Sequence, residues 1–141
     1  MRTRNLASVF DKLNLKDQKA LVVIDPPASF EGELSRLKGV KIARDVRGLA
    51  SVEFAIAFVT QRDEVKRAAR ELIEKSAQDV ILWFAYPKGT SKTLKSEVNR
   101  DTGWDVLLAA GFDTVRLVAI DADWSALRFR RKQHIGGARP R

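Results

Sequence analysis

The chain has 141 residues, a formal charge of +8, no cysteine and one histidine, His134. That length supplies one domain with a core of its own, and the inventory excludes disulfides, thiolate metal sites, cysteine nucleophiles and multi-histidine metal clusters. No apolar run approaches the roughly 18 residues of a membrane span, and the opening MRTRN leads into no signal-peptide core, so the expectation is a cytoplasmic protein that makes no membrane contact.

Residues 6–13 put Leu6, Val9, Phe10 and Leu13 on one face of a short helix. Residues 20–25, ALVVID, read as a strand ended by Pro26-Pro27. Over 29–38, Phe30, Leu34 and Leu37 fall together on a second helix, which Gly39 stops. A brief strand follows at 40–43. Residues 52–59, VEFAIAFV, are apolar at nearly every position after Glu53, as a strand covered on both faces must be.

The strongest helical signal spans 61–76. Thr60 is the expected cap, Asp63 and Glu64 sit in the first turn, and Val65, Ala68, Ala69, Leu72 and Ile73 follow helical spacing. A second buried strand, 79–86 (DVILWFAY), is closed by Pro87. The polar loop KGTSKTLKSEVNRD leads to a helix expected at 102–110, started by Asp101 or Thr102 and ended at Gly111. Strands at 114–120 and 125–131 are joined by a turn at 121–124, short enough to make the last strand antiparallel to its neighbour.

Strand–helix units with buried strands make a three-layer sandwich, because parallel neighbours need helical crossovers. The expectation is one Rossmann-like α/β domain over residues 1–131, its mostly parallel sheet of five to six strands finishing in an antiparallel hairpin. Residues 132–141 are expected to be a basic, poorly ordered tail.

The charge sits at the ends. Arg2 and Arg4 contribute +2, while Arg128, Arg130, Arg131, Lys132, Arg139 and Arg141 contribute +6 with no acid among them. Residues 5–127 therefore carry 18 basic and 18 acidic groups. A neutral body leaves the tail as the place where nucleic acid or an acidic partner could bind. Oligomeric state is not legible.

The closing segment GWDVLLAAGFDTVRLVAIDADWSALRFRR runs helix, Gly-Phe, strand, Trp-bearing turn, strand, and resembles the end of class I methyltransferases of the Rossmann-like group. The stretch ILWFAYPKGTSK resembles a set of small bacterial proteins, a resemblance that brings no catalytic residues with it. The methyltransferase resemblance implies a degenerate transferase using the end of the first strand as the alternative reading. S-adenosylmethionine or a dinucleotide would need glycines after that strand, so that backbone can approach the ligand. Pro26 and Pro27 stand there instead and remove two N–H donors, so neither cofactor is expected. Asp45, 20 residues beyond Asp25, matches a ribose-binding acid in position only. Asp25-Pro26-Pro27 is also similar to the catalytic motif of amino-methyltransferases acting on DNA, but Ala28 replaces the aromatic that stacks on a flipped base. Pro-Pro ending a strand and starting a helix explains the motif more simply.

Gly89-Thr90-Ser91-Lys92-Thr93 contains GxxKT, yet it lacks the other glycine of a nucleotide-hydrolysing phosphate loop. What remains is a basic loop, with Lys88, Lys92, Lys95 and Arg100 against Glu97, leaving the carboxyl end of a central strand. Lys88, Gly89, Thr90, Ser91, Lys92, Arg100, Asp101 and Trp104 are the candidate residues for a small anionic or phosphorylated ligand, bound without catalysis. A solvated loop is the competing reading. His134 offers no catalytic triad from the tail. Asp25, Asp45 and Asp101 could hold Mg²⁺ only if they converge, and carboxylates at element ends are more often caps. Trp83, Trp104 and Trp124 are expected to pack in the core or at its rim.

Overall fold

The computed structural model describes residues 9–91 and 94–135. The chain runs α1 (Val9–Lys12), β1 (Ala20–Ile24), α2 (Ala28–Leu34), β2 (Lys41–Ala43), β3 (Val52–Phe58), α3 (Arg62–Lys75), β4 (Ser76–Pro87), α4 (Asp105–Ala109), β5 (Phe112–Ala119) and β6 (Trp124–Arg131). The six strands form one sheet in the order β2-β1-β3-β4-β6-β5. The pairs among β2, β1, β3 and β4 are parallel, and β6 is antiparallel to both β4 and β5. The expected Rossmann-like sheet with its closing hairpin is present.

The period of two along each strand divides the core into two layers. On one face Ala55, Ala57, Leu82, Phe84, Leu127 and Phe129 meet Val65, Ala69 and Leu72 of α3 and Leu107 of α4. On the other, Leu21, Val23, Phe54, Ile56 and Trp83 meet Phe10 and Leu13 at α1 and Phe30 and Leu34 of α2. Phe54, Ala55, Ile56 and Ala57 are all wholly buried, which explains why β3 is apolar at consecutive positions. The Trp83 indole is inaccessible and donates through Nε1 to the Leu13 carbonyl, so its one polar atom is satisfied.

Several boundaries differ from the sequence reading. Gln61, not Thr60, caps α3: its side chain receives the N–H of Glu64, and the Glu64 carboxylate accepts from the Gln61 N–H in a capping box. Thr60 instead donates its own N–H and hydroxyl to the same Glu64 oxygen. Strand β4 begins at Ser76, directly off α3. The helix expected at 102–110 shrinks to Asp105–Ala109, because the preceding residues are bent otherwise. Asn99 and Thr102 bridge each other, the Asp101 N–H donates to the Asn99 side chain, and Gly103 takes φ +105°. Beyond β6 a turn of 3-10 helix, Lys132–His134, docks through Lys132 N–H on the Gly111 carbonyl. Residues 132–135 are thus part of the fold rather than of a loose tail. The remainder of the expected tail, 136–141, lies outside the described residues, as do Leu6 and Lys92.

Candidate functional site

The order of strands locates a crevice. From β1 the chain crosses through α2 to β2 on one side; from β3 it crosses through α3 to β4 on the other. Helices α2 and α3 therefore lie on opposite faces, and the carboxyl ends of β1 and β3 part between them. Open α/β sheets bind ligands at such a point.

A cavity of about 180 Å³ opens there, lined by Ile24, Asp25, Phe58, Glu64, Arg67 and Glu71 among others. Asp25 holds φ +52°, one of two described non-glycine residues in the left-handed region. Asp tolerates that region better than most residues, but a following proline crowds the backbone further, so the end of β1 is strained. Helix α2 then starts at once: the Phe30 and Glu31 N–H groups both donate to the Pro27 carbonyl. Of the cavity's charged groups, one Glu64 oxygen is occupied by Thr60 and Gln61. Arg67 and Glu71 stand one turn apart on exposed helix surface. Periodicity could not single them out, because a cavity rim and a solvated helix face have the same polar spacing.

Asp45 does not line this cavity. The Arg47 backbone N–H and guanidinium donate to both its oxygens, which holds the Asp45 carboxyl below its ordinary range. Asp101 lines a separate cavity of about 270 Å³ with Arg62, Lys66 and Asp105. Asp25, Asp45 and Asp101 thus stay apart, and no group of three or more His, Asp or Glu among the described residues could hold a metal ion.

The 88–101 loop is tied down by its own bonds. Lys88 N–H donates to the Asp123 carbonyl at 2.8 Å, Ser91 Oγ bonds the Asp123 carboxylate at 2.9 Å, and the Leu94 N–H donates to Ser91 Oγ. At the far end Glu97, one of the loop's two acids, accepts from the Arg62 N–H and so sits at the start of α3. Lys88 and Ser91 are half-buried, and Gly89, Thr90, Arg100 and Asp101 are exposed. Trp104 is a core residue: it is 4% exposed, packs against Phe84, Tyr86 and Phe129, and donates through Nε1 to the Asn99 carbonyl. It supports the loop from beneath and does not face solvent. Helix α4 begins beyond it and is only five residues long, so the dipole expected behind the loop is slight.

No helix among the described residues is long and apolar enough to cross a membrane. No protein-family model matches the chain, and no curated protein matches it. Solved structures do. A SAM-dependent methyltransferase from Aquifex aeolicus superposes with a TM-score of 0.56 at 15% identity, covering 86% of this chain and 87% of its own. Magnesium protoporphyrin IX methyltransferase from Synechocystis PCC 6803, with bound SAH, superposes with a TM-score of 0.54 at 11% identity, covering 88% and 78%. At such identities the likeness concerns the fold: this chain has a methyltransferase-like Rossmann fold.

Proposed function

We propose that the chain is a degenerate methyltransferase-like protein that keeps the crevice between β1 and β3 as its ligand site but not the loop that would seat S-adenosylmethionine there. One of the two neighbours is described as SAM-dependent and the other as carrying bound SAH, so the fit of S-adenosylmethionine is the first question. Pro26 and Pro27 leave the end of β1 without two N–H donors, each worth about 0.5–1.5 kcal/mol in a hydrogen bond. Asp45, in the position of a ribose-binding acid, spends its oxygens on Arg47. These residues do not fit the cofactor.

What supports a ligand in the crevice is Asp25. Strained backbone is costly and is retained where the surroundings impose it, most often at functional sites. This strain sits at the one place where the strand order parts the sheet, on the wall of a cavity. The wall's charges are mixed, Asp25, Glu64 and Glu71 with Arg67, which suits a small zwitterion: an ammonium toward the carboxylates and a carboxylate toward the guanidinium. A volume near 180 Å³ suits a molecule of amino-acid size.

Chemical-shift mapping with a panel of free amino acids tests this reading. Saturable shifts confined to Ile24, Asp25, Val59, Arg67 and Glu71, weakened by Asp25→Asn, are expected. Absence of shifts across the panel, or shifts centred on 88–101, would contradict it.

A further inference from the structure

Two described side-chain nitrogens are buried without a hydrogen-bond partner: Nε of Arg128 and Nε2 of His134. Buried polar atoms in native proteins nearly always find partners, so each orphan asks for an explanation. Both lie in one neighbourhood, since Arg128, Arg130 and His134 all act electrostatically on the Asp79 carboxylate. That carboxylate satisfies neither orphan. Its two oxygens accept from Arg130, at 2.8 and 2.6 Å.

The sheet register shows why Arg128 is short of a partner. It stands directly opposite Arg116 on β5, and opposite the buried Trp83 on β4. Arg130, two residues along β6, projects from the same face about 7 Å away. Like charges directly opposite in an antiparallel pair are destabilising. Burial first, then Arg130 and Arg116, push the Arg128 guanidinium below its ordinary pKa. Neither Arg116 nor Arg128 has a salt bridge among the described residues. Arg130 also stands opposite Asp113 of β5, whose Oδ1 accepts from the Thr114 N–H, so with Asp79 two aspartates face three arginines and a net positive charge remains. Arg131, on the opposite face, differs: it donates to the carbonyls of Ala77 and Gln78 and to Ser76 Oγ, and lies over the Phe112 ring. The excess charge on this face of β5 and β6 is not a property of the chain end.

We propose that Arg128, flanked by Arg116, Arg130 and His134, forms an oxyanion site for a phosphate group. A guanidinium fork matches phosphate geometry, and an anion beside Arg128 would cancel the Arg116–Arg128 repulsion. The site lies toward the amino end of β4, where Asp79 is, and is separate from the crevice at the carboxyl ends of β1 and β3. The phosphate belongs either to a small metabolite or to a nucleic-acid backbone.

The test uses the full chain, with thermal unfolding in sodium phosphate and in sodium chloride at matched ionic strength. Fluorescence anisotropy with a labelled single-stranded oligonucleotide accompanies it across a salt titration. Phosphate is expected to raise Tm saturably above the chloride value in the wild type and in the control Arg36→Gln. Arg128→Gln is expected to abolish the difference. Comparing the two salts within each variant reads the site whatever the variant's own stability. Arg116→Gln should unfold at a higher temperature than the wild type in chloride, because it removes the repulsion. Oligonucleotide binding whose logarithmic salt slope falls by about 1 in Arg128→Gln identifies a nucleic-acid backbone. A phosphate effect without oligonucleotide binding identifies a small phosphate. Equal shifts in wild type and Arg128→Gln would overturn the proposal. So would a difference that Arg128→Gln keeps and Lys88→Ala removes, which would move the anion to the 88–101 loop.

Discussion

Replacing Gly103 by alanine tests how the 88–104 segment is held. Gly103 has φ +105°, and a Cβ there would collide with Cγ1 of Val98, which is only 2% exposed. Gly39 has φ +75° with open space around it, so Gly39→Ala meets the backbone penalty alone. That penalty is about 1–2 kcal/mol, reduced by about 0.4–1 kcal/mol because alanine restricts the unfolded chain, leaving about 1 kcal/mol. Gly103→Ala adds the displacement of Val98, whose burial is worth about 1.5–3 kcal/mol, for a total of about 2.5–4 kcal/mol. Urea unfolding of both variants measures the gap. A double-mutant cycle assigns it: Val98→Ala should cost much less in the Gly103→Ala background than in the wild type, because there the truncation also removes the collision. Equal losses in Gly103→Ala and Gly39→Ala, or additive effects of the Val98 and Gly103 changes, would refute the reasoning.

Asp25→Gly should raise stability by about 0.5–1 kcal/mol, since glycine adopts φ +52° without strain, while weakening ligand shifts at the crevice; a loss of stability in urea unfolding would show that Asp25 makes a supporting bond. Arg130 holds the Asp79 carboxyl below its ordinary range, so the pair stabilises the fold above the unfolded-state pKa and loses that increment as pH falls through the folded value. The fall in Tm below about pH 4 should therefore be shallower in Asp79→Asn than in the wild type. Arg131→Lys should cost about 2 kcal/mol in urea unfolding, because an ammonium cannot serve the Ala77, Gln78 and Ser76 acceptors together as the guanidinium does; an unchanged midpoint would show that these bonds contribute nothing net.

The order of elements was readable because burial on both faces leaves an unambiguous mark. VEFAIAFV and DVILWFAY could be little else than central strands, and helix α3 carries a clean apolar stripe. The closing hairpin followed from a turn too short for a crossover. The helix before β5 was overextended because Gly103 and the Asn99–Thr102 bridge interrupt a pattern that reads as helical without tertiary context. The crevice was half visible. Asp25 stood out beside two prolines, but Arg67 and Glu71 reach it from α3, far along the chain. Trp104 drew notice for its place beside a basic loop, whereas its indole lies in an aromatic cluster with Phe84, Tyr86 and Phe129. Reading the charge of 128–132 as an end effect hid two different faces of β6: Arg131 fastens β6 to the start of β4, while Arg128 stands opposite Arg116. Summed charge cannot separate residues that alternate across a sheet.

A calorimetric titration of the full chain with S-adenosylmethionine tests the central claim most directly. A methyltransferase-like fold whose β1 ends in Asp25-Pro26-Pro27, with Asp45 held by Arg47, should give no saturable heat at micromolar cofactor, while amino-acid ligands still shift the amides of Asp25 and Arg67. A micromolar dissociation constant for S-adenosylmethionine, lost in Asp25→Ala, would contradict the account and make the chain a cofactor-binding transferase that dispenses with glycines.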